Sequence, residues 1–321
     1  MEISVIVPTY KRPQLLKKCL QALLKQKFDK HQYEVIVVSD GPDMETRSLV
    51  SSLAKNRVTP VRFLCLPIKK GPAAARNYGW LNAKSKVIAF TDDDCLPDLD
   101  WLNEIAANID PNIDEAITGR VIVPRDNRPT DYEQNTAGLE TADFITANCA
   151  CTRSALIRTG GFDERFSMAW REDSELEFKL ITEHIPIKRV ESAIVAHPVR
   201  QARWGISIKE QKKTLYNALL YKKYPVLYRK KIQTIPPLLY YGIIAAFILM
   251  LSGILLQNKS MGFIGFYTWI FLTFNFIVKR LYSTSRSAGH IIEIVFTSLL
   301  IPFLSVYWQW YGAIKYKVFF L

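Results

Sequence analysis

Four short apolar runs, Ile3–Val7, Tyr33–Val38, Val61–Leu66 and Val87–Phe90, fix what the first ninety residues of this chain can become. The first, second and fourth are rich in β-branched residues with little alternation, the pattern of a strand covered on both faces, as in a parallel sheet. Arg12-Pro13 opens a helical pattern between the first two runs, with apolar residues at Leu15, Leu16, Cys19, Leu20, Leu23 and Leu24. Met44–Ala54 supplies a second helix. Strand, helix, strand, helix, strand is the rhythm of an α/β domain with right-handed crossovers. Ligands collect at the carboxyl ends of such strands, and Tyr10, Asp40 and Asp92–Asp94 all fall there.

The fourth run ends in three consecutive carboxylates, Asp92-Asp93-Asp94, and Pro97 keeps it from extending as an interior strand. Side chains alternate at a strand end, so Asp92 and Asp94 should share one side while Asp93 faces away. Two like charges about 4 Å apart repel by about 4 kcal/mol at an effective dielectric near 20. The cluster therefore needs water, protons or a cation. Oxygen ligands suit Mg²⁺ or Mn²⁺, which are held through one or two carboxylates together with a substrate's phosphates. Taken alone, the triplet reads as a solvated acidic turn; the motifs around it favour the cation.

Gly71-Pro72 before the alanines of Lys70–Gly79 marks a helix start with Pro in the first turn. Free N–H groups there suit a phosphate, and Arg76 adds a charged fork. The same small residues would also serve a helix packed closely on the sheet. Further along, Phe144–Ala150 reads as a strand containing Asn148, and Gly160-Gly161-Phe162 as a turn whose glycines permit positive φ. Trp170-Arg171-Glu172-Asp173 leads into a helical pattern at Leu176, Phe178, Leu180 and Ile181, so Asp173 could simply cap that helix. His197 follows a strand-like Ala193–Ala196 and, on its own, reads as structural.

Val5–Tyr10, Val37–Gly41, Gly71–Gly79, Phe90–Asp94, Gly160–Glu164 and Glu172–Leu176, in this order and spacing, resemble the family 2 glycosyltransferases over roughly residues 1–200. The resemblance implies a GT-A fold, with a nucleotide-binding α/β half, a mixed sheet, an acceptor half and a nucleotide-diphosphate sugar as donor, a UDP-sugar being the expected one. Carried over residue by residue, Pro8, Thr9, Tyr10 and Asp40 would contact the base. Asp92 would meet the ribose, and Arg76 would lie near the ribose or diphosphate, with Arg12 and Asp93 also on the donor side. Asp94 would ligate a divalent cation, Mn²⁺ or Mg²⁺, with His197 as a further ligand. Asp173 would be the catalytic base, supported by Glu172, and Asn148, Gly161 and Trp170 would lie on the acceptor side. One base without a covalent nucleophile implies inversion. Gln201-Ala202-Arg203-Trp204 is similar to the Gln-x-x-Arg-Trp motif of processive synthases but one residue short, which argues against processivity. A processive synthase and an inactive membrane scaffold are the alternatives.

Beyond Ile235 the composition changes. Ile235–Leu256 runs 22 residues without a charge and Met261–Val278 another 18, each enough to cross a bilayer. Ile291–Tyr311, interrupted by Glu293, Pro302 and Gln309 and ending in a Tyr/Trp cluster, is a third expected span. The expected division is a GT-A domain over 1–204, basic amphipathic interfacial helices over 205–234 and a transmembrane region over 235–321. The net charge is +12, and the basic residues just before the first span, Lys209 to Lys231, suit an anionic bilayer rather than nucleic acid, for which no motif is present. No N-terminal stretch resembles a signal peptide. Five cysteines without a CxxC pair suggest reduced thiols. With basic flanks on the cytoplasmic side, the expected location is a bacterial inner membrane, multi-pass, the catalytic domain facing the cytoplasm. The acceptor would be a lipid-linked or membrane-associated glycan.

Overall fold

The computed structural model describes residues 2–55 and 57–320. The chain forms two compact units, residues 1–124 with 137–199, and residues 125–136 with 200–321.

The first unit is built on one mixed sheet of eight strands: β1 (Ile3–Thr9), β2 (Tyr33–Ser39), β3 (Val61–Cys65), β4 (Val87–Phe90), β5 (Leu96–Pro97), β6 (Ala116–Ile122), β7 (Cys149–Thr152) and β8 (Ile187–Ala196). Their order across the sheet is β3-β2-β1-β4-β7-β6-β8-β5. β1, β2, β3 and β4 are mutually parallel; β7 is antiparallel to both β4 and β6, and β6 and β8 are again parallel. All seven residues of β1 are buried, as expected for an interior strand with helices on both sides. Its side chains divide by parity. Val5 and Val7 pack with Leu16, Leu20 and Leu23 of α1 (Pro13–Leu24) on one face. Ile6, on the other, packs with the alanines and Trp80 of α3 (Pro72–Leu81). Between them lies α2 (Met44–Ala54), capped by Asp43, whose carboxylate accepts the Thr46 N–H. The remaining helices of this unit are α4 (Trp101–Asn108), α6 (Arg153–Thr159) and α7 (Glu172–Thr182).

One expected strand is displaced. Phe144–Ala147 is not extended, and β7 begins only at Cys149. The reason lies at a bulge where the β6–β8 register slips between Gly119 and Arg120. Asn148 is buried there. Its Nδ2 donates to the carbonyls of Arg120 (2.9 Å) and Ala193 (2.8 Å), while its Oδ1 accepts from Trp101 Nε1 (2.8 Å). Placing that amide in the bulge turns the chain, and the Asn148 N–H bonds back to the Ile145 carbonyl.

In the second unit, α5 (Asp131–Thr136) and the short helices α8 (Ile206–Glu210), α9 (Leu215–Lys223) and α10 (Pro225–Lys231) accompany three long ones. α11 (Leu238–Leu255), α12 (Lys259–Leu281) and α13 (Ala288–Lys315) are each long and apolar enough to cross a membrane. Glu293, Pro302 and Gln309, which interrupt the apolar pattern, all lie within the single helix α13. Glycine sets the closeness of α11 and α12: a Cβ on Gly253 would fall 2.2 Å from the Gly262 nitrogen, and one on Gly265 2.3 Å from that of Met250. The basic stretch forms several short helices. Tyr224-Pro225 breaks it, since the residue before proline avoids the α region, and Leu215–Leu220 of α9 are all buried. Gly312 of α13 lies so close to Leu215 that a Cβ would sit 2.4 Å from its carbonyl oxygen.

Replacing Asn148 by Leu should strand the Trp101 N–H and two carbonyls, at about 1–3 kcal/mol for each buried group left unsatisfied. We expect a lower melting midpoint for Asn148→Leu in a thermal scan followed by circular dichroism; an unchanged midpoint would mean that the amide does not hold the bulge.

Candidate active site

Because β1, β2 and β4 are parallel, the loops that follow them open at the same edge of the sheet. Three consecutive aspartates at that edge avoid mutual repulsion by turning to three different partners. Asp93 is fully buried; its Oδ2 accepts from Thr9 Oγ1 at 2.7 Å and pairs with Arg12 Nε at 3.1 Å. Thr9, Arg12 and Asp93 thus tie the loop after β1 to the loop after β4. Pro8 lies inside β1, opposite Val38.

Asp92 pairs with Arg76, Nη2 to Oδ1 at 2.7 Å. The same guanidinium reaches Glu172, Nη1 to Oε1 at 3.2 Å, with only 3% of its side chain exposed. Burial alone would lower the Arg76 pKa, but the charges of Asp92 and Glu172 more than offset this and hold it above the ordinary value. Arg76 therefore joins carboxylates on the β4 loop and at the start of α7, 80 positions apart in sequence.

Glu172 and Asp173 occupy the first turn of α7, preceded by Arg171 at φ 73°. Burial pushes the Glu172 carboxyl up to about 7, and the neighbouring Asp173 charge adds to the shift against the opposing pull of Arg76. Asp173 is also raised by burial, against the Ser174 N–H that its Oδ1 accepts at 2.7 Å and the charges of Arg171 and Arg76. Two neighbouring carboxyls displaced toward neutrality are suited to acid–base chemistry.

Asp94 is buried beside His197, Oδ1 to Nε2 at 3.7 Å. With Cys95 they form a cluster whose potential ligand atoms lie within 4.8 Å of one another. The His197 backbone N–H bonds to the Ile122 carbonyl at 2.8 Å, and its buried Nδ1 has no hydrogen-bond partner among the described residues. A carboxylate and an imidazole converging in a buried site are a donor set that could hold a divalent transition-metal ion. Cys95 was not foreseen as a candidate, although it directly follows the triplet. Burial, then the charges of Asp92 and Asp94, push its thiol well above the ordinary range, which keeps it a neutral and weak ligand.

The Asp40 carboxylate accepts the N–H groups of Lys70 (2.7 Å) and Gly71 (2.9 Å), the two residues just before α3. Gly71, at φ 104°, is required: a Cβ would lie 2.4 Å from the Ser167 carbonyl oxygen. Above Gly41 lies the Tyr10 ring, with Lys69 Nζ 4.3 Å and Lys11 Nζ 5.5 Å from its centroid. Lys69 is a second residue not singled out beforehand.

Two acceptor-side candidates have roles in the fold. Asn148 is consumed by the bulge. Gly161 is buried at φ 64°, where a Cβ would strike Asn77 Oδ1 and Trp80 Nε1, both at 2.7 Å. It and Gly160 end α6, with N–H groups bonded to Leu156 and Ile157. Trp170 is exposed, its ring covered by the Arg171 guanidinium at 4.7 Å.

A family model described as "Glycosyl transferase family 2" matches residues 4–166. A GalNAc(5)-diNAcBac-PP-undecaprenol beta-1,3-glucosyltransferase of Campylobacter jejuni is 36% identical over 93 residues, 29% of each chain. Among solved structures, the mannosyltransferase PcManGT of Pyrobaculum calidifontis, in complex with GDP-Man and Mn²⁺, superposes with a TM-score of 0.58 at 15% identity, covering 98% of this chain and 87% of that one. A fragment of S. aureus TarS in complex with UDP-GlcNAc gives 0.52 at 17% identity, covering 100% and 93%. At these identities the likeness establishes the fold, GT-A, which agrees with the expected α/β class. The chain spans about half or less of the length of several curated relatives that it matches.

Arg76→Met should leave Asp92 and Glu172 facing each other without a counter-charge, at about 3–5 kcal/mol. Glu172 has a raised pKa, so its buried charge is absent well below that value and grows as pH rises through it. The loss in melting midpoint should therefore be smaller at pH 5 than at pH 8; an equal loss at both would show that Arg76 does not neutralise Glu172.

Proposed function

The chain belongs to glycosyl transferase family 2, and from that premise we propose that it is an inverting, metal-dependent glycosyltransferase. It moves a sugar from a nucleotide-diphosphate donor, a UDP-sugar in this reading, to a hydroxyl of a lipid-linked or membrane-associated glycan. The observation that carries the reading is Arg76 bridging Asp92 and Glu172, because it gathers the triplet and the Glu172-Asp173 pair around one side chain.

On the donor side, the Tyr10 face flanked by Lys69 and Lys11 offers a stacking surface for a base, with cations for phosphates alongside. Asp92 keeps a quarter of its side chain exposed and can accept from the ribose hydroxyls. Thr9, Arg12 and Asp93 act by holding the loops in place. Asp94 and His197 would hold the divalent cation, which when bound supplies positive charge beside the departing diphosphate.

On the acceptor side, Asp173 removes the hydroxyl proton at its carboxylate. The alcohol oxygen bonds to the anomeric carbon as the bond to the diphosphate oxygen breaks on the opposite face, so configuration inverts. Glu172, held by Arg76, orients the turn that presents Asp173. Trp170 and the Arg171 guanidinium stacked on it lie beside this turn, on the side assigned to the acceptor. Three helices long enough to cross a membrane favour an acceptor presented at a bilayer, and the undecaprenyl-linked substrate in the name of the Campylobacter relative points the same way. The proposed setting is a bacterial inner membrane with an anionic leaflet, the catalytic unit on the cytoplasmic side.

The test is a panel of UDP-, GDP- and dTDP-sugars offered to purified full-length protein with Mn²⁺, scored by donor hydrolysis and transfer. Asp173→Asn should lower turnover at least about 10³-fold while donor affinity changes less than about threefold. Asp94→Ala, or EDTA with wild type, should abolish Mn²⁺-dependent donor binding in titration calorimetry. Near-normal turnover in Asp173→Asn would overturn the assignment of the base, and metal-indifferent binding that of Asp94.

A further inference from the structure

The residue that opens α7 goes against three local preferences at once. Arg171 is the N-cap of that helix, and its carbonyl accepts the Glu175 N–H at 2.9 Å. Its backbone sits at φ 73° and ψ −5°, in the left-handed region that a residue with a Cβ enters only under strain. An N-cap side chain normally accepts a hydrogen bond from the first turn, which a guanidinium cannot do, and none is made here. A cation at a helix N-terminus also opposes the dipole, which favours negative charge there. Glycine or asparagine would suit the position better, and departures of this kind from local preference collect at functional sites.

What the arginine meets is the first turn of α7, where Glu172, Asp173 and Glu175 stand together. Glu172 is reached by Arg76 at 3.2 Å, and Glu175 lies 3.4 Å from Lys179. Asp173 is different. Burial raises its carboxyl, and against burial act the Ser174 N–H, then the charge of Arg171, then that of Arg76. Arg76 is already shared between Asp92 and Glu172. The other ionisable groups bearing on Asp173 are Glu172 beside it and the Cys149 thiol of β7, which burial keeps neutral by pushing it well above the ordinary range. The Arg171 guanidinium lies over the Trp170 ring, 4.7 Å from its centroid, and this stacking limits where its charge can go.

We infer that Arg171 is a positioning residue for the transfer step: its left-handed backbone sets where the first turn of α7 begins, and its guanidinium, stacked on Trp170, keeps positive charge beside Asp173. It acts through Asp173 rather than on a substrate. A cation there favours the ionised carboxylate, the form that can take the proton of the acceptor hydroxyl. Without it Asp173 would stay protonated to higher pH, and fewer molecules would carry a competent base near neutrality. The strained and uncapped helix start is then explained by the charge that it brings to this turn. The inference rests on the reading of Asp173 as the base and adds the residue that prepares it.

The experiment compares full-length wild type with Arg171→Gly and Arg171→Lys, and repeats Arg171→Gly on an Asp173→Asn background. Glycine is at ease at positive φ, so Arg171→Gly should fold. In the pH profile of kcat/KM for transfer, the acid limb should move up by about one pH unit in Arg171→Gly and return toward wild type in Arg171→Lys. Donor affinity in titration calorimetry should stay at the wild-type level in both. A second readout needs no turnover. The Asp173 pKa is raised, so its charge is absent at low pH and grows as pH rises through that value. The melting midpoint of wild type minus that of Arg171→Gly should therefore increase from pH 5 to pH 8, and Asp173→Asn should abolish the increase. An acid limb that stays in place in Arg171→Gly, or that Arg171→Lys fails to restore, overturns the inference. So does a melting difference that is equal at both pH values, as a merely structural cap would give, or one that still grows with pH in the Asp173→Asn background. Near-normal turnover in Asp173→Asn would defeat the base reading instead, and the melting comparison would still show whether Arg171 acts on Asp173.

Discussion

The first unit depends on one buried guanidinium. Arg76 sits on α3, a helix whose alanines let it lie close against the sheet, and from there it reaches Asp92 on one side and Glu172 on the other. A charge in that position is costly to desolvate and is tolerated only because two carboxylates surround it. The arrangement also resolves the problem raised by the triplet. Adjacent aspartates cannot share one environment, so Asp92 turns to Arg76, Asp93 to Thr9 and Arg12, and Asp94 toward His197. Each pairing draws a different loop inward, and the sheet edge is shaped by the repulsion that the sequence builds into three consecutive residues.

Much of this was legible beforehand because interior parallel strands leave a plain trace: β1, β2 and β4 fall where the continuous apolar runs lie, and α2 and α3 begin at Met44 and Pro72 as the turn residues suggested. What could not be read was which donors each polar side chain would meet. Phe144–Ala150 has the composition of a strand, yet the chain bends there because Asn148 is needed at a bulge between strands that lie far away in sequence. Asp40 looked open to a ligand, and in the fold its carboxylate accepts the N–H groups of Lys70 and Gly71. Local pattern reports burial well; it does not report pairing across thirty residues or more.

The second unit shows the same limit. Length and lack of charge identify α11, α12 and α13, since both are properties of a single segment. The fate of the basic stretch is not such a property. Interleaved lysines and apolar residues suggest amphipathic helices but not where they divide or what they pack on: the break falls at Tyr224-Pro225, and α9 lies against α13 at a point where Gly312 leaves room for backbone contact. The lysine at 222 then donates to the Tyr316 carbonyl, closing the contact near the end of α13.

The division of labour between Glu172 and Asp173 follows from their partners. Both carboxyls are raised by burial, so neither can be assigned as the base on basicity alone. Glu172 is fixed: Arg76 holds one oxygen, and only a small fraction of the side chain meets solvent. Accepting a proton there would weaken the ion pair that joins the two halves of the site. Among the described residues, Asp173 is held only by N–H groups of its own turn, including that of Ser174 to Oδ1, and its side chain is not fully enclosed. It can gain a proton without dismantling anything that Arg76 supports, and this freedom is the physical ground for proposing Asp173, rather than its neighbour, as the group that activates the acceptor alcohol.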